Sequence, residues 1–522
     1  MAVEGGGHRW WWLAVICLVA ALAVPFFFVD VPPVEDYPNH LARIFLLAFG
    51  GEDPVLSRIY APDWHLVPDL AVDVIGPPLM HFLPVHVAGR VILALSLLLP
   101  VAGTLAYSGA AFRRPNWWAL GVGLVAYNAI FLLGFINFLL GVGLALLAAA
   151  FWIASRERHP WLAAGSGALA TAIIFFAHIF AVLYFALLIG AHELARLWQR
   201  RGEAGSGGRL LRATAMIVAA LAPAIILYAL SPFSGAEGVL AFETPARKAY
   251  ELFAPFLLYS KALTLLTAVV VLAVVVLLAR QARTDVGSAI AFVVLIAAYL
   301  VAPRAIKGGN FVDTRLPVMA AFLLFAGFAP RLDGIRTKAI GLLLAVLFAV
   351  RIGSIAATWQ EHGSDLADFR RVIAPVPPGA RVLLVSANPE DDPAYAEREP
   401  ESRRLPDLAR ADRHLAALLV IERRAFWPLL FADPAQQAIR VLPPYDRLAV
   451  KLGDPPDYRA LLADPPAPAD LAGAPYLAGW QRNFDYVLVI DAGAASDLAA
   501  FLPDRLALVR QADIAALFTV RR

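Results

Sequence analysis

The chain has 522 residues, of which 60% are hydrophobic and only 16% are charged. A soluble protein usually carries about a quarter charged residues, so this composition excludes an ordinary soluble protein and predicts a chain that lies largely in lipid. The formal net charge is only +3, and no basic run is interleaved with aromatic residues, so nucleic acid is not expected as a partner. The single cysteine, Cys17, excludes an internal disulfide and a thiolate metal cluster.

Apolar runs along the first two thirds of the chain predict about eleven transmembrane helices. The first run ends in Pro25 and three phenylalanines rather than in a small-residue cleavage site, which favours a retained anchor over a signal peptide. The predicted spans are residues 10–28, 88–110, 117–134, 136–154, 161–177, 179–195, 210–230, 262–279, 287–303, 316–330 and 339–357.

Arginine and lysine cluster in alternate short connections, which predicts that these connections and the N-terminus are cytoplasmic. The outer segments are then residues 29–87, 231–261, 304–315 and the C-terminal part of the chain. We therefore expect a multi-pass protein of a bacterial-type inner membrane. Its domains would be a transmembrane domain, residues 1–357, with a large first outer loop, and a periplasmic domain, residues 358–522.

The C-terminal part changes in character, because apolar runs end and proline, aspartate and arginine become frequent. Short apolar runs at 381–386 and 486–491 predict buried strands, residues 414–426 predict a helix, and 507–509 with 516–520 predict a final strand pair. The predicted fold class is thus an α-helical polytopic membrane protein with a C-terminal soluble α/β domain.

The first outer loop opens with a pair of acidic residues, Glu35 and Asp36, just beyond the first predicted span. Asp36 could cap a helix that has Pro38 in its first turn. Helical spacing would then place Asp36 or Tyr37, His40, and Arg43 or Ile44 near one face. The pair is either part of a reaction site or a cap on an interfacial helix with solvated charges.

Further candidates for a substrate site are ionisable residues in unusual surroundings. Asp69 and Asp73 are spaced by four, which would place both carboxylates on one side of a helix, where a cation, a donor or a substrate would compensate them. The alternative is that Asp69 caps the helix and Asp73 faces water. Asp30 follows the first span, and His178 lies at the outer turn of an apolar hairpin, at membrane depth.

The short outer loop at residues 304–315 contains three cations, Arg304, Lys307 and Arg315, although outer loops are usually poor in them. An outward anion such as a lipid phosphate is the expected partner. The alternatives are contact with ordinary anionic lipid or an ion pair between Asp313 and Arg315. The sequence has no Walker loop, Rossmann fingerprint or nucleophile elbow, so a nucleotide-driven pump is not expected.

The order of these features along the whole chain resembles the GT-C glycosyltransferases. The residues that carry the resemblance are Asp30, Glu35, Asp36 and the loop 304–315. It implies an enzyme that transfers a sugar from a polyprenyl-phosphate-linked donor to a lipid, glycan or protein acceptor on the outer face of the membrane. The first-loop carboxylate near the reaction centre would be Asp36 or Glu35, and the basic loop would bind the donor phosphate.

The resemblance implies no nucleotide or redox cofactor, and it leaves a divalent cation open, because some members of the superfamily use one and others do not. The residues do not identify metal ligands, the sugar, the acceptor or the stereochemistry. Two other classes of function stay open. One is a transporter or lipid-handling protein, although the matching broken halves typical of such proteins are not evident. The other is a non-catalytic envelope scaffold.

Overall fold

The structure is a computed structural model that describes the whole chain except residues 1–3, 236–237, 308, 332–333, 407–408, 452 and 496. Its internal contacts divide it into two compact units. The first unit consists of Met1–Phe27, Leu66–Ala71 and Ile92–Ala356. The second consists of Phe28–His65, Val72–Val91 and Ala357–Arg522.

The membrane region is mainly helical, as predicted, and every predicted span other than 117–134 lies largely on one helix. Eight helices in the described residues are long and apolar enough to cross a membrane, and Trp117–Leu132 and Val286–Val301 are shorter apolar helical segments. The protein is therefore an integral membrane protein. The α-helices of this region are Glu4–Ala23, Val85–Phe112, Gly123–Ala126, Ala129–Leu132, Ile136–Ser155, Pro160–Ala177, Ile179–Gln199, Ser206–Leu230, Pro245–Glu251, Lys261–Leu278, Val286–Val301, Val312–Gly327 and Gly334–Ile373.

The predicted span 117–134 is not one continuous helix. Tyr127 and Asn128 adopt extended backbone conformations, and the Asn128 side chain accepts a hydrogen bond from Phe131 N while donating to carbonyls of the preceding turn. Such local side-chain bonds offer the backbone an alternative to the helical ladder. The run therefore folds as short helical pieces.

Small residues allow the helices Val85–Phe112 and Ile136–Ser155 to approach closely. A Cβ atom on Gly143 would lie 2.5 Å from the carbonyl carbon of Leu99, and one on Gly103 would lie 2.8 Å from the carbonyl oxygen of Gly143. Such contacts exclude any larger side chain, as at many interfaces between membrane helices.

The second unit contains a four-stranded sheet formed by Val382–Ser386, Tyr486–Ile490, Ala515–Val520 and Leu506–Gln511, in that spatial order. The first pair is parallel and the other pairs are antiparallel. The predicted strands and the final strand pair are thus confirmed. Other helices and strands of this unit are Tyr37–Phe45, Ala71–Phe82, Pro393–Ala396, Leu418–Arg423, Pro468–Gly473 and Trp480–Asn483, with strands Tyr60–Pro62, Arg404–Leu405, Ala409–Arg410 and Ile439–Val441.

The helix predicted at 414–426 is shorter in the structure, where a 3₁₀ turn at Leu415–Ala417 leads into the α-helix Leu418–Arg423. It ends because Arg424 adopts a left-handed backbone conformation with φ of 52°. Beyond that residue, Phe426 N donates to Ala380 O, so the chain turns alongside the sheet.

Most of the first outer loop, Phe28–His65 and the part within Val72–Val91, belongs to the same compact unit as the C-terminal residues. Its strand Tyr60–Pro62 pairs antiparallel with Ile439–Val441, and Tyr60 faces Val441 in the register. The helix Gly334–Ile373 continues past the predicted end of the membrane domain at residue 357. The second unit therefore combines residues that are far apart in the sequence, and these residues build the first candidate site.

Candidate functional site

Glu35 and Asp36 precede the helix Tyr37–Phe45, which has proline in its first turn as predicted. Asp36 occupies the N-cap position, but within the described chain its side chain makes no capping hydrogen bond. Its carboxylate instead lies 3.3 Å from Nε2 of His414. The alternative interpretation, in which Asp36 caps the helix and the charges of the pair are solvated, is therefore wrong. The carboxylate is instead directed into the second unit.

Two consecutive residues of the C-terminal segment meet the acidic pair. His414 faces Asp36, and Arg413 Nη1 lies 3.1 Å from Glu35 Oε1. Arg413 also pairs with Asp454 at 2.8 Å. We call Glu35, Asp36, Arg413 and His414 the Asp36 cluster.

Asn39, one turn after Asp36, connects this cluster to the segment around Leu429. Its Oδ1 accepts a hydrogen bond from Phe431 N at 2.9 Å, and its Nδ2 donates to Leu429 O at 3.0 Å. The same Nδ2 lies 3.4 Å from Nδ1 of His414. All of Asn39 is buried, so these contacts satisfy its amide away from water.

The electrostatics of the cluster follow from its burial. Loss of solvent and the neighbouring Asp36 carboxylate raise the pKa of Glu35 well above its ordinary value. Burial raises the pKa of Asp36 to about 7, against the opposing charges of Arg413 and Arg43. Burial and then the charge of Arg413 lower the pKa of His414 to about 3. The cluster thus holds a neutral imidazole beside a carboxylate that exchanges its proton near neutral pH.

Glu35, Asp36 and His414 are also the residues that could hold a metal ion, since one ligand atom from each lies within 4.8 Å of the others. The surroundings fit a cation poorly, because the Arg413 guanidinium already places a positive charge against Glu35. A second cation at the same place would repel it. The arrangement favours ion pairing and hydrogen bonding.

The remaining first-loop candidates have protein partners. Arg43 Nε lies 2.7 Å from Asp73 Oδ1, and both side chains are buried. Asp73 therefore does not face water. His40 packs edge-on against the ring of Phe431. The predicted shared helix face for the two aspartates is wrong, because Asp69 has a left-handed φ of 70° and the helix starts only at Ala71.

Asp30 belongs to an ion-pair network of the same unit. Arg370, on the helix Gly334–Ile373, lies 2.8 Å from Asp30 Oδ2 and 2.8 Å from Glu422 Oε1. His86 Nε2 lies 3.4 Å from the same Glu422 oxygen. One guanidinium thus joins the first loop to the C-terminal segment, which accounts for Asp30 as a structural contact.

In the first unit, each of the three predicted phosphate-binding cations has its own contacts. Arg304 pairs with Glu243. Lys307 Nζ donates to Ser234 O at 2.8 Å and lies 3.2 Å from the Tyr228 hydroxyl. The cation of Arg304 is therefore already compensated, and the two side chains bind separate parts of the unit.

Arg315 lies in different surroundings, buried at the start of the helix Val312–Gly327. Its Nη1 lies 3.0 Å from Nε2 of His178, and its Nη2 donates to Asn310 O at 3.2 Å. Within the described residues its Nε has no hydrogen-bond partner. The guanidinium lies 4.8 Å from the ring centre of Phe135 and 5.4 Å from that of Phe138.

Asp69 completes this second group, because its Oδ1 lies 3.7 Å from Nε2 of His178. We call Asp69, His178 and Arg315 the Arg315 cluster. Three candidates from separate segments of the sequence thus come together in the first unit. The expected alternative partner, Asp313, lies 3.5 Å from Lys248 instead.

Sequence reasoning missed several of these residues. Arg413, His414 and Asn39 were not candidates, although Asn39 stands beside His40 in a helix whose polar positions could have drawn attention. Lys248 was missed as well. It donates to the carbonyls of Tyr299 and Ala302, at the end of the helix Val286–Val301, in addition to pairing with Asp313.

No family model and no curated protein matches the chain. Among solved structures, the chain is similar to ArnT from Cupriavidus metallidurans, whose crystal structure has undecaprenyl phosphate bound. The similarity has a TM-score of 0.50 at 11% identity and covers 97% of this chain and 97% of that chain. Arabinofuranosyltransferase AftD from Mycobacteria gives a TM-score of 0.39 at 16% identity, over 98% of this chain and 42% of that chain. The likeness to ArnT shows that the chain has the GT-C fold, as its sequence predicts.

Proposed function

We propose that the protein is a membrane glycosyltransferase that takes a sugar from a polyprenyl-phosphate-linked donor and transfers it to an acceptor. The observation that carries the proposal is the buried Asp36 carboxylate, whose pKa of about 7 suits a general base at neutral pH. The GT-C fold supports the same class of reaction, and the structure of ArnT with undecaprenyl phosphate supports a lipid-phosphate donor.

In the proposed reaction, an oxygen of the acceptor hydroxyl forms a bond to the anomeric carbon of the donor sugar. The bond between that carbon and the phosphate oxygen breaks, and polyprenyl phosphate leaves with the bonding electron pair. The hydroxyl proton moves to the Asp36 carboxylate, which must therefore be ionised beforehand. Glu35 is held by Arg413, so Asp36 is the better candidate for the base.

The anionic part of the donor calls for a cation, and Arg315 is the side chain best suited to it. Its guanidinium is buried beside aromatic rings, and Nε has no partner among the described residues. Arginine binds phosphate through paired charge-assisted hydrogen bonds, which also stabilise the charge that develops on a departing phosphate. Arg304 and Lys307 would contribute positive charge rather than direct contacts, because both already bind protein groups.

The acceptor in this proposal is a lipid, a glycan or a protein on the non-cytoplasmic side of a bacterial-type inner membrane. The support for that side is the distribution of arginine and lysine among the short connections, which places the N-terminus in the cytoplasm. The C-terminal residues then lie in the periplasm. Membrane lipids are the other expected partners of the helices.

The test is to incubate purified protein with a panel of polyprenyl-phosphate sugars, with a membrane extract supplying acceptors, and to measure released polyprenyl phosphate by mass spectrometry. We expect release with at least one donor, and a rate that falls by roughly 100-fold or more in Asp36→Asn. The matched control is Asp504→Asn, which changes an exposed carboxylate of the same unit. Binding of donors with no release would contradict the proposal and indicate a lipid-handling protein.

A further inference from the structure

We propose that Asn39 and His414 are positioning residues for Asp36: the Asn39 amide places the imidazole proton of His414 on Nε2, and that N–H holds the Asp36 carboxylate. This inference rests on the proposed function only in its use of Asp36 as the base. It makes the C-terminal segment of the chain part of the reaction machinery, since Asn39 and His414 lie 375 positions apart.

The orientation of the Asn39 amide is fixed by two backbone groups. Phe431 N can only donate a hydrogen bond, so the amide atom 2.9 Å from it must be the oxygen. The opposite amide atom lies 3.0 Å from Leu429 O, which can only accept, so it must be the NH₂ group. The two contacts agree, and they leave the second N–H of that group pointing elsewhere.

That second N–H decides the protonation of His414. The Asn39 Nδ2 atom that carries it lies 3.4 Å from Nδ1 of His414, and Nδ1 can accept a hydrogen bond only where it carries no proton. If Nδ1 carried a proton, it and the Asn39 NH₂ group would be two hydrogen-bond donors facing each other with no acceptor between them. An imidazole whose Nδ1 carries no proton holds its single proton on Nε2.

Nε2 lies 3.3 Å from Oδ1 of Asp36, a distance at which its N–H can donate to the carboxylate. The imidazole is also packed edge-on against Phe431, with ring centres 4.9 Å apart, which restricts its rotation. A neutral donor stabilises the ionised form of Asp36 without adding a charge. The other charged groups around Asp36 are Glu35, Arg43, Arg413 and Asp454.

The protonation pattern can be measured without any activity. Solid-state NMR of protein labelled with ¹⁵N-histidine distinguishes a bare Nδ1 from a protonated one, and the signal of His414 is assigned by its loss in His414→Gln. We expect a bare Nδ1 and a protonated Nε2 in the native protein. In Asn39→Asp, where only acceptors face the ring, Nδ1 should become protonated as well. A protonated Nδ1 in the native protein would overturn the inference.

The effect on Asp36 is measured from the pH dependence of carrier release. His414→Phe removes the donor, so the pH at which the rate reaches half of its plateau should rise by roughly one unit. The rate at pH 6 should then fall roughly tenfold. His414→Gln keeps an N–H donor and should recover most of that shift. The matched control is Asn483→Asp, which changes an amide elsewhere in the same unit that donates to Ala478 O. It should leave the pH of half-maximal rate unchanged.

If His414 has a merely structural role, both His414 variants should release the carrier more slowly with no change in the pH of half-maximal rate. That result would contradict the inference. The two proposals fail separately. If no variant and no native sample releases the carrier while NMR finds the expected protonation, the proposed reaction is wrong and the hydrogen-bond chain stands. If release occurs and depends on Asp36, but the pH of half-maximal rate is the same with and without His414, the positioning role is wrong.

Discussion

Replacing Asp36 by asparagine should stabilise the folded protein at alkaline pH while abolishing its proposed activity. The burial that raises the pKa of Asp36 from 3.8 to about 7 makes the ionised carboxylate costly in the folded state. Asparagine has nearly the same shape, carries no charge and keeps an oxygen that can face Nε2 of His414. The substitution therefore removes the cost and leaves the packing in place.

The direction of the pH dependence follows from proton uptake. The folded-state pKa lies above the unfolded value, so the contribution of Asp36 to stability is fully present below about pH 4 and is lost as the pH rises through about 7. Since each pKa unit corresponds to about 1.4 kcal/mol, the full loss is about 4 kcal/mol. The side chain is 15% exposed, so water offsets part of it. We expect Asp36→Asn to gain about 2 to 4 kcal/mol over the native protein at pH 8.

The assay is thermal unfolding of purified native protein, Asp36→Asn and Asp504→Asn in the same detergent at pH 5 and pH 8. The melting temperature of Asp36→Asn should exceed that of the native protein, and the difference should be larger at pH 8. Asp504→Asn, at an exposed position, should follow the native protein. A difference that is independent of pH, or that favours the native protein at pH 8, would refute the reasoning about burial.

Three further outcomes are expected. Arg315→Ala should weaken donor affinity about tenfold or more in a donor titration, Arg315→Lys should recover part of it, and Arg304→Ala should have a smaller effect because Glu243 already compensates that cation. Unchanged affinity in Arg315→Ala would remove it from the donor site. Arg43→Met should lower the free energy of unfolding by about 3 to 5 kcal/mol, because it leaves the Asp73 carboxylate buried and unpaired, and the loss should shrink when Asp73→Leu is added. A reporter fused after Arg522 should be active only as an exported protein, and cytoplasmic activity would reverse the proposed orientation.

The helices of the membrane region were predictable because their signal is local. An apolar run long enough to span a bilayer can be recognised within about 20 residues of sequence. The run 117–134 folds differently because it is interrupted by Asn128, whose side chain competes for backbone groups of the preceding turn. The buried strands at 382–386 and 486–490 are equally local, since both are continuous apolar runs between polar segments.

The candidate site was only partly predictable, because its contacts are not local. The position of Asp36 beyond the first span drew attention to it, but nothing in the sequence around residue 36 specifies that His414 will face it. The spacing of Asp69 and Asp73 misled for a different reason. A helical pattern does not reveal that Asp69 adopts a left-handed backbone conformation and lies before the helix, where its carboxylate approaches His178.

Release of polyprenyl phosphate between pH 5 and pH 9, in the native protein and in Asp36→Asn, tests the proposed transferase and its base most directly. In the native protein the rate should rise with pH and reach half of its plateau near pH 7, because the base works only after it loses its proton. The rate in Asp36→Asn should lie below the plateau of the native protein by roughly 100-fold or more. Equal rates in the two proteins, or a native rate that does not change between pH 5 and pH 8, would contradict the assignment of Asp36.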